Sequence, residues 1–270
     1  FSLKVQNVIN HHIEESFVYQ DNGRTYRIIL TPISHQNETL IFIYDITKEI
    51  QLNQMKEDFF SNASHELKSP LTTILGYLQM IEEGILTEKS DIEDAFFRIT
   101  KEAKRMNSII SEMLNLASLE VNQNEKTITD LSIFETTQDI LSSFKRDIKQ
   151  KELKIEIENK DDFKVKMHAM DLYHLISNLV SNAIKYNQQK GKVKITIQKP
   201  FFVISDTGIG IPYSEQSRIF ERFYRVDKAK SKELGGTGLG LAIVKHVVNN
   251  YDLTIELQSK EKEGTTFKVG

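Results

Sequence analysis

Ser64-His65-Glu66-Leu67-Lys68-Ser69-Pro70-Leu71 lies inside a long apolar-periodic segment. Around it Phe60, Ala63, Leu67, Leu71, Ile74, Leu78 and Ile81 recur mostly three or four residues apart, which places them on one face of a helix. His65 and Glu66 fall off that stripe and are expected to face outward. Pro70 then sits mid-helix, where the missing N–H and the ring clash cost roughly 3 kcal/mol. A bend one turn after an exposed His-Glu pair points to use. Alone, a surface histidine on an amphipathic helix is the plainer reading, and what displaces it lies downstream.

The helical pattern extends from about Lys48 to Leu86, with a break expected near Gly84 and Leu86-Thr87-Glu88. Asp91 to Glu120 reads as a second helix with a heptad stripe of Ile92, Phe96, Ile99, Ala103, Met106, Ile110, Met113 and Ala117. The two form an αα-hairpin, which cannot cover its own apolar faces. A second copy completes a four-helix bundle most economically, so a homodimer is expected.

Upstream, residues 1–47 read as β-rich after an opening helical turn or two. Phe17-Val18-Tyr19, Thr25 to Ile33 and Thr39 to Ile46 are strand candidates, with turns at Asp21-Asn22-Gly23 and Gln36-Asn37-Glu38. Three strands make a thin sheet, so part of a domain is expected, either a generic β-meander or, by resemblance, the C-terminal half of a PAS sensor domain. The chain opens on Phe1, inside what reads as an element under way, and a fragment is expected.

Composition narrows the classes. The 270 residues allow two domains and part of a third, and 39% hydrophobic with 27% charged residues is ordinary for a soluble globular protein. A net charge of −3 argues against a dedicated nucleic-acid binder. The absence of cysteine excludes disulfides, thiolate metal sites and a cysteine nucleophile. No apolar run approaches the ~18 residues of a membrane span.

After a polar linker at Val121–Lys126 the pattern changes to strands interspersed with helices, an α+β or α/β sandwich. Strands are expected at Thr127–Leu131, Lys154–Glu158, Phe163–Met167, Val193–Ile197, Phe201–Ser205, Leu253–Gln258 and Thr265–Val269. Helices are expected at Phe134–Lys151, Met170–Asn187 and Gly240–Asn250. Most of the 12 glycines fall here in three groups: Asp206-Thr207-Gly208-Ile209-Gly210, Gly235-Gly236-Thr237-Gly238-Leu239-Gly240, and Gly264-Thr265-Thr266-Phe267. A carboxylate at a strand end followed by glycines leaves room for a flat ligand against the backbone. Glycines opening a helix expose N–H groups suited to phosphate. Neither a dinucleotide fingerprint nor a P-loop is completed. Asn178, Asn182 and Lys185 share one helix face, where two amides and an ammonium can hold a hydrated Mg²⁺ and phosphate oxygens; the alternative is a solvated polar face.

Together, His65 to Leu71, Asn178 to Tyr186, Asp206 to Gly210, Phe220-Glu221-Arg222-Phe223-Tyr224-Arg225 and Gly235 to Gly240 resemble, in order and spacing, the five motif boxes of sensor histidine kinases. The resemblance covers about residues 46–270. It implies a multi-domain chain: a partial PAS-like segment over 1–47, a dimerisation and phosphotransfer hairpin over 48–122, and a Bergerat-type ATP-binding α/β sandwich over 123–270. It implies ATP and Mg²⁺ as cofactors, phosphorylation of His65 with Glu66 holding a ring proton, and transfer to an aspartate on the receiver domain of a response regulator. Asp206 would accept the adenine amino group beside Gly208 and Gly210, with Thr265 nearby through water. Asn182, assisted by Asn178, would bind the metal, and Lys185 and Tyr186 would contact phosphate. Gly238, Leu239 and Gly240 would anchor a lid over about 213–234, packed by Phe220 and Phe223. Ser69 departs from the threonine or asparagine usual at its position, which bears on dephosphorylation of the partner. The membrane would be reached only through an N-terminal part outside this chain, leaving a cytoplasmic fragment. An ATPase without phosphohistidine, or a nucleotide-gated interaction module, would leave the His-Glu pair or the Asn182–Asp206 set without a use.

Overall fold

The computed structural model describes residues 2–11, 13–33, 38–121, 127–161, 163–227 and 236–270. Gln36-Asn37 of the second expected turn, linker residues 122–126, Gly235 and the 228–234 part of the expected lid lie outside them. The chain divides into two compact units, Phe1–Ser64 and His65–Gly270.

In the first unit, helix α1 (Ser2–His11) precedes an antiparallel meander of β1 (Glu15–Asp21), β2 (Arg24–Pro32) and β3 (Thr39–Asp45), in spatial order β1-β2-β3. Asn22 (φ 47°) and Gly23 (φ 77°) make the tight turn that the sequence signals. Val8, Ile28 and Leu30 form a small core edged by Phe17 and Tyr26. The Asp45-Ile46-Thr47 junction is stitched by hydrogen bonds. Asp45 Oδ1 accepts from Thr47 N (3.0 Å), and Thr47 Oγ1 accepts from Thr25 N (2.8 Å). Hydrogen bonds from the Thr47 side chain and the Thr47 backbone N–H hold the Asp45 carboxyl below its ordinary pKa.

Helix α2 (Thr47–Glu82) begins at that junction and continues through Pro70, which is buried. It ends on Gly84 (φ 69°), with Gly84 N donating to Ile81 O (3.1 Å) and Ile85 N to Met80 O (2.9 Å). That pair of bonds is a Schellman cap, which only a residue tolerant of positive φ can close. Helix α3 (Lys89–Val121) returns to make the hairpin.

The expected heptad stripe of α3 is not the buried one within a single chain. Ala95, Arg105, Ile109, Leu116 and Leu119 are buried, whereas Phe96, Ala103, Ile110 and Ala117 are exposed and Ile92, Ile99, Met106 and Met113 half-buried. The packed face is rotated from the expected one because α3 also packs against a later helix of the same unit.

Strand β4 (Thr129–Ser132) leads into α4 (Ile133–Ser143), capped by Ser132, whose hydroxyl accepts from Glu135 N (3.1 Å). The single helix expected over Phe134–Lys151 is two. It breaks at Phe144, and α5 (Lys145–Gln150) follows, because Phe144 N turns to Leu141 O in a tightened last turn. Then come β5 (Lys154–Asn159), β6 (Lys164–Met167), α6 (Ala169–Lys185), β7 (Lys192–Gln198), β8 (Phe201–Asp206), α7 (Gly240–Asn250), β9 (Ile255–Lys260) and β10 (Gly264–Val269). Five strands make a mixed sheet in the order β5-β7-β8-β10-β9, parallel only between β5 and β7, and β4 pairs with β6.

Alternation along β7 buries Val193, Ile195 and Ile197, and β8 and β10 add Phe202, Ile204, Phe267 and Val269. The helical layer is α6 packed on α4 and α7, contributing Leu172, Leu175, Ile176, Leu179 and Val180 from α6 and Ile243, Val244, Val247 and Val248 from α7. At the start of α6, Tyr251 OH donates to Asp171 Oδ2 (2.7 Å) and accepts from His168 N (3.1 Å), tying the helix to the end of α7. This two-layer sandwich beside the hairpin is the architecture expected, and α3 lies against α7. No helix among the described residues is long and apolar enough to cross a membrane.

Candidate nucleotide site

The sandwich has an open side between α6, α7 and the loop after β8, where a cavity of about 400 Å³ lies, large enough for a bound small molecule. At one end stands Asp206, the last residue of β8, opposite Thr265 on β10. Its Oδ1 accepts from Gly208 N (2.8 Å). Burial pushes the carboxyl up to about 6 against the backbone hydrogen bonds from Gly208 and Thr265, so an acceptor is held here at the cost of its hydration.

Glycine is required at this end by contact. A Cβ on Gly208 would lie 2.4 Å from Tyr186 O, and on Gly264 (φ 110°) 2.0 Å from Asp206 O. The loop therefore closes on α6 and the sheet with no side chain between, leaving a flat slot. Ile209 N donates to Tyr186 O (3.1 Å), and Ser259 Oγ lies 3.0 Å from Thr265 Oγ1 while accepting from Ile211 N (2.8 Å).

The other end is built by α6 and the N-terminus of α7. His174, Asn178, Ser181, Asn182 and Lys185 recur at helical spacing and line the cavity, as the polar-face reading of α6 requires. Asn178 Nδ2 donates to His174 O (2.8 Å), which turns its oxygen toward α7; a Cβ on Gly240 would lie 2.6 Å from that oxygen. Helix α7 has no side-chain cap, and Gly238, Gly240 and Leu241 at its start line the cavity, with Leu239 buried between them. The last turn of α6 is fixed by Lys151, whose ammonium donates to Ile184 O (2.9 Å), Lys185 O (2.6 Å) and Asn187 O (3.2 Å). Lys185 and Tyr186 are thereby held at the cavity wall.

The fit to a magnesium nucleotide rests on this donor set. A slot with a buried acceptor at one end suits a purine amine. Amide oxygens, an ammonium and open helical N–H groups at the other suit phosphates. No group of three or more His, Asp or Glu gathers among the described residues. A hard cation here would take Asn182 and Asn178 oxygens and the phosphates themselves.

His65 is exposed on α2, and Ser69, one turn later, is exposed as well. Glu66 is not the outward-facing side chain expected. Its Oε2 accepts from Arg105 Nη2 (2.8 Å) on α3, and its Oε1 accepts from Arg225 Nη2, while Arg225 Nη1 donates to Gly236 O (3.2 Å). The guanidinium of Arg225 is almost wholly buried, which explains the turn of Glu66: an arginine removed from water demands a carboxylate. Phe223, in the same segment, is buried with φ 63° and donates its N–H to Gly238 O (2.8 Å); Phe220 packs edge-on to Phe267.

Helix α3 adds Glu112 and Asn115 to the cavity wall. Thr237 Oγ1 donates to Glu112 Oε2 and accepts from Leu239 N (3.2 Å). Burial raises the Glu112 carboxyl above its ordinary pKa, opposed by the Thr237 bond and by Lys185. The sequence alone assigns no role to Arg105, Arg225, Glu112 or Lys151. A signal existed for two of them: Glu102, Arg105 and Glu112 interrupt the three-four spacing of Ala95, Ile109, Leu116 and Leu119, and charges on a buried stripe imply partners.

Residues 167–270 match the family of histidine kinase-, DNA gyrase B- and HSP90-like ATPases, and residues 55–122 match the His Kinase A (phospho-acceptor) domain. The phosphate regulon sensor protein PhoR of Pseudomonas aeruginosa is 31% identical over 97% of this chain and 63% of its own length. Sensor histidine kinase WalK of Bacillus subtilis is 33% identical over 83% of this chain and 38% of its own. The chain thus spans less than two thirds of these relatives. Among solved structures, histidine kinase AdeS of Acinetobacter baumannii superposes with TM-score 0.61 at 22% identity, covering 76% of this chain and 95% of that one. Histidine kinase ThkA, solved with the response regulator protein TrrA, gives TM-score 0.62 at 21% identity over 99% and 81%. Both structures are alike in fold.

Proposed function

The chain belongs to the sensor histidine kinases of two-component systems, and from that premise we propose that it binds MgATP in the α6–α7 cavity, phosphorylates His65 and passes the phosphoryl group to an aspartate of a response regulator's receiver domain. One observation carries the reading. A solvent-exposed histidine preceding a carboxylate stands on a hairpin packed, within the same compact unit, against a cavity with a purine-type acceptor and a phosphate-type end.

In this reading a ring nitrogen of His65 attacks the terminal phosphorus, a P–N bond forms as the P–O bond to ADP breaks, and the ring's other nitrogen keeps its proton, donating it in a hydrogen bond to Glu66. Glu66 must exchange the Arg225 contact for that proton. Asp206 and the glycine slot orient the purine; Asn178, Asn182, Lys185, Tyr186 and the α7 N-terminus orient the phosphates. Mg²⁺, when bound, would offset the charge of the transferring group. Ser69, one turn from His65, would orient water for dephosphorylation of the regulator. The bounds 1–47, 48–122 and 123–270, the PAS-like nature of the first segment, and membrane attachment through an N-terminal part belong to the same proposal. So does the homodimer.

The test is incubation with γ-³²P-ATP followed by acid and base treatment. Label on the protein should be lost in acid and kept in base, and His65→Gln should remove it while calorimetric ATP binding survives. Label persisting in His65→Gln moves the nucleophile elsewhere. With phosphorylated receiver domain supplied, Ser69→Ala should slow loss of label from the regulator; an unchanged rate removes Ser69 from the phosphatase step.

A further inference from the structure

The cavity's phosphate end already holds an anion. Thr237 immediately precedes Gly238 and the N-terminus of α7, and its hydroxyl donates to the Glu112 carboxylate reaching in from α3. A carboxylate can only accept, so the hydroxyl hydrogen goes to Glu112, while the hydroxyl oxygen accepts from Leu239 N at 3.2 Å. Lys185 lies near enough to act on the carboxylate electrostatically. An ammonium and a helix N-terminus attract anions, and the nearest anion in the docked arrangement is part of the chain. Asp206, at the far end, is untouched by Glu112.

We propose that Glu112 makes the docked site discriminate against a terminal phosphate: its carboxylate disfavours a triphosphate relative to a diphosphate and leaves the nucleoside unaffected. This rests on the nucleotide reading of the cavity given above. The third phosphate extends the anion toward the end where Glu112 stands, whereas a diphosphate leaves that end to the carboxylate. ATP then has to displace Glu112 from Thr237, and with it the α3 contact, while ADP does not. The docked arrangement is thereby the one favoured after the phosphoryl group has left.

Glu112→Gln separates charge from contact. The amide oxygen accepts the same Thr237 hydroxyl, so docking is retained while the negative charge is lost. Calorimetry of the whole chain with ADP, ATP and adenosine, with and without Mg²⁺, reads the outcome. In Glu112→Gln the Kd for ATP should fall about tenfold, the scale of one screened like-charge contact, and that gain should shrink with added salt. The Kd for ADP should change less than about threefold and that for adenosine not at all. Equal tightening of ADP and ATP, or no change in either, overturns the proposal. Weaker MgATP binding in Glu112→Gln also overturns it, by making Glu112 a metal ligand. If the unaltered chain binds no ADP, the nucleotide reading itself fails and the proposal with it. Glu112→Ala, which loses both charge and contact, should shift the ATP-to-ADP ratio at least as far as Glu112→Gln; a ratio unchanged from the parent chain overturns the charge argument.

Discussion

Asp206 shows how much of a site can hang on one side chain's solvation. Its carboxyl titrates at about 6 in the fold against 3.8 as an ordinary aspartate. Between those values the folded state holds the proton more tightly, so its contribution to stability is present below 3.8 and is lost as pH rises toward 6. Ligand binding runs the other way. An amine donor on a purine prefers the carboxylate, so binding near pH 6 should release protons. Below about 6, Kd for adenosine should rise by roughly tenfold per pH unit, the slope of one linked proton. Calorimetry in buffers of differing ionisation enthalpy measures both quantities. Asp206→Asn should bind weakly and without pH dependence, whereas a flat profile in the unaltered chain would show that this carboxylate does not meet the base. The sequence made Asp206 legible as a strand-end carboxylate before glycines. It could not show the shift, which comes from the burial that the sheet and α6 impose together.

At the scale of elements, α6 was legible almost residue by residue, because every demand on it is local: an apolar face for the sheet and a polar face for the cavity. Helix α3 was not, because it answers to two partners. Its heptad spacing is real, but the hairpin and the packing on α7 select the neighbouring stripe that runs through Arg105 and Glu112. A stripe read from spacing alone cannot distinguish a face buried within the chain from one left for another. The break at Phe144 escaped for a different reason, since no proline or glycine marks it. Arg105 gives the element-scale prediction. It is buried, bonded to Glu66 at 2.8 Å and within 3.7 Å of Glu102. Arg105→Met would leave two half-buried carboxylates near one another with a lost partner, at a cost of about 3 kcal/mol. The urea midpoint followed by helical circular dichroism should fall markedly, and Arg105→Lys should recover only part of the loss, as an ammonium cannot serve two carboxylates with the planar fork. A midpoint unmoved by Arg105→Met would mean the arginine is solvated in solution.

At the scale of the whole molecule, the exposed apolar side chains of the hairpin remain to be accounted for. On α2, Leu71, Leu75 and Leu78 are 44%, 57% and 44% exposed; on α3, Phe96, Phe97, Ile110 and Leu114 are 53%, 70%, 42% and 65% exposed. They are not scattered. Leu71, Leu75 and Leu78 follow helical spacing, and Phe96, Ala103, Ile110 and Ala117 repeat every seven residues, the period of helices that supercoil on one another. A soluble chain rarely leaves so continuous an apolar seam in water. A second copy supplies the same seam, and two hairpins give a four-helix bundle with each stripe facing its counterpart. We therefore expect a dimer in light scattering at micromolar concentration. Leu75→Glu with Ile110→Glu places charges in that seam in both copies. Each fully buried aliphatic side chain contributes roughly 2 kcal/mol, so losing one pair in each copy should raise the dimer Kd at least about a thousandfold. The double variant should then be monomeric at the same concentration. Its ADP affinity should be unchanged, because neither Leu75 nor Ile110 lines the cavity. A parent chain that is monomeric at that concentration would remove the homodimer from the proposal and leave the seam to a different partner.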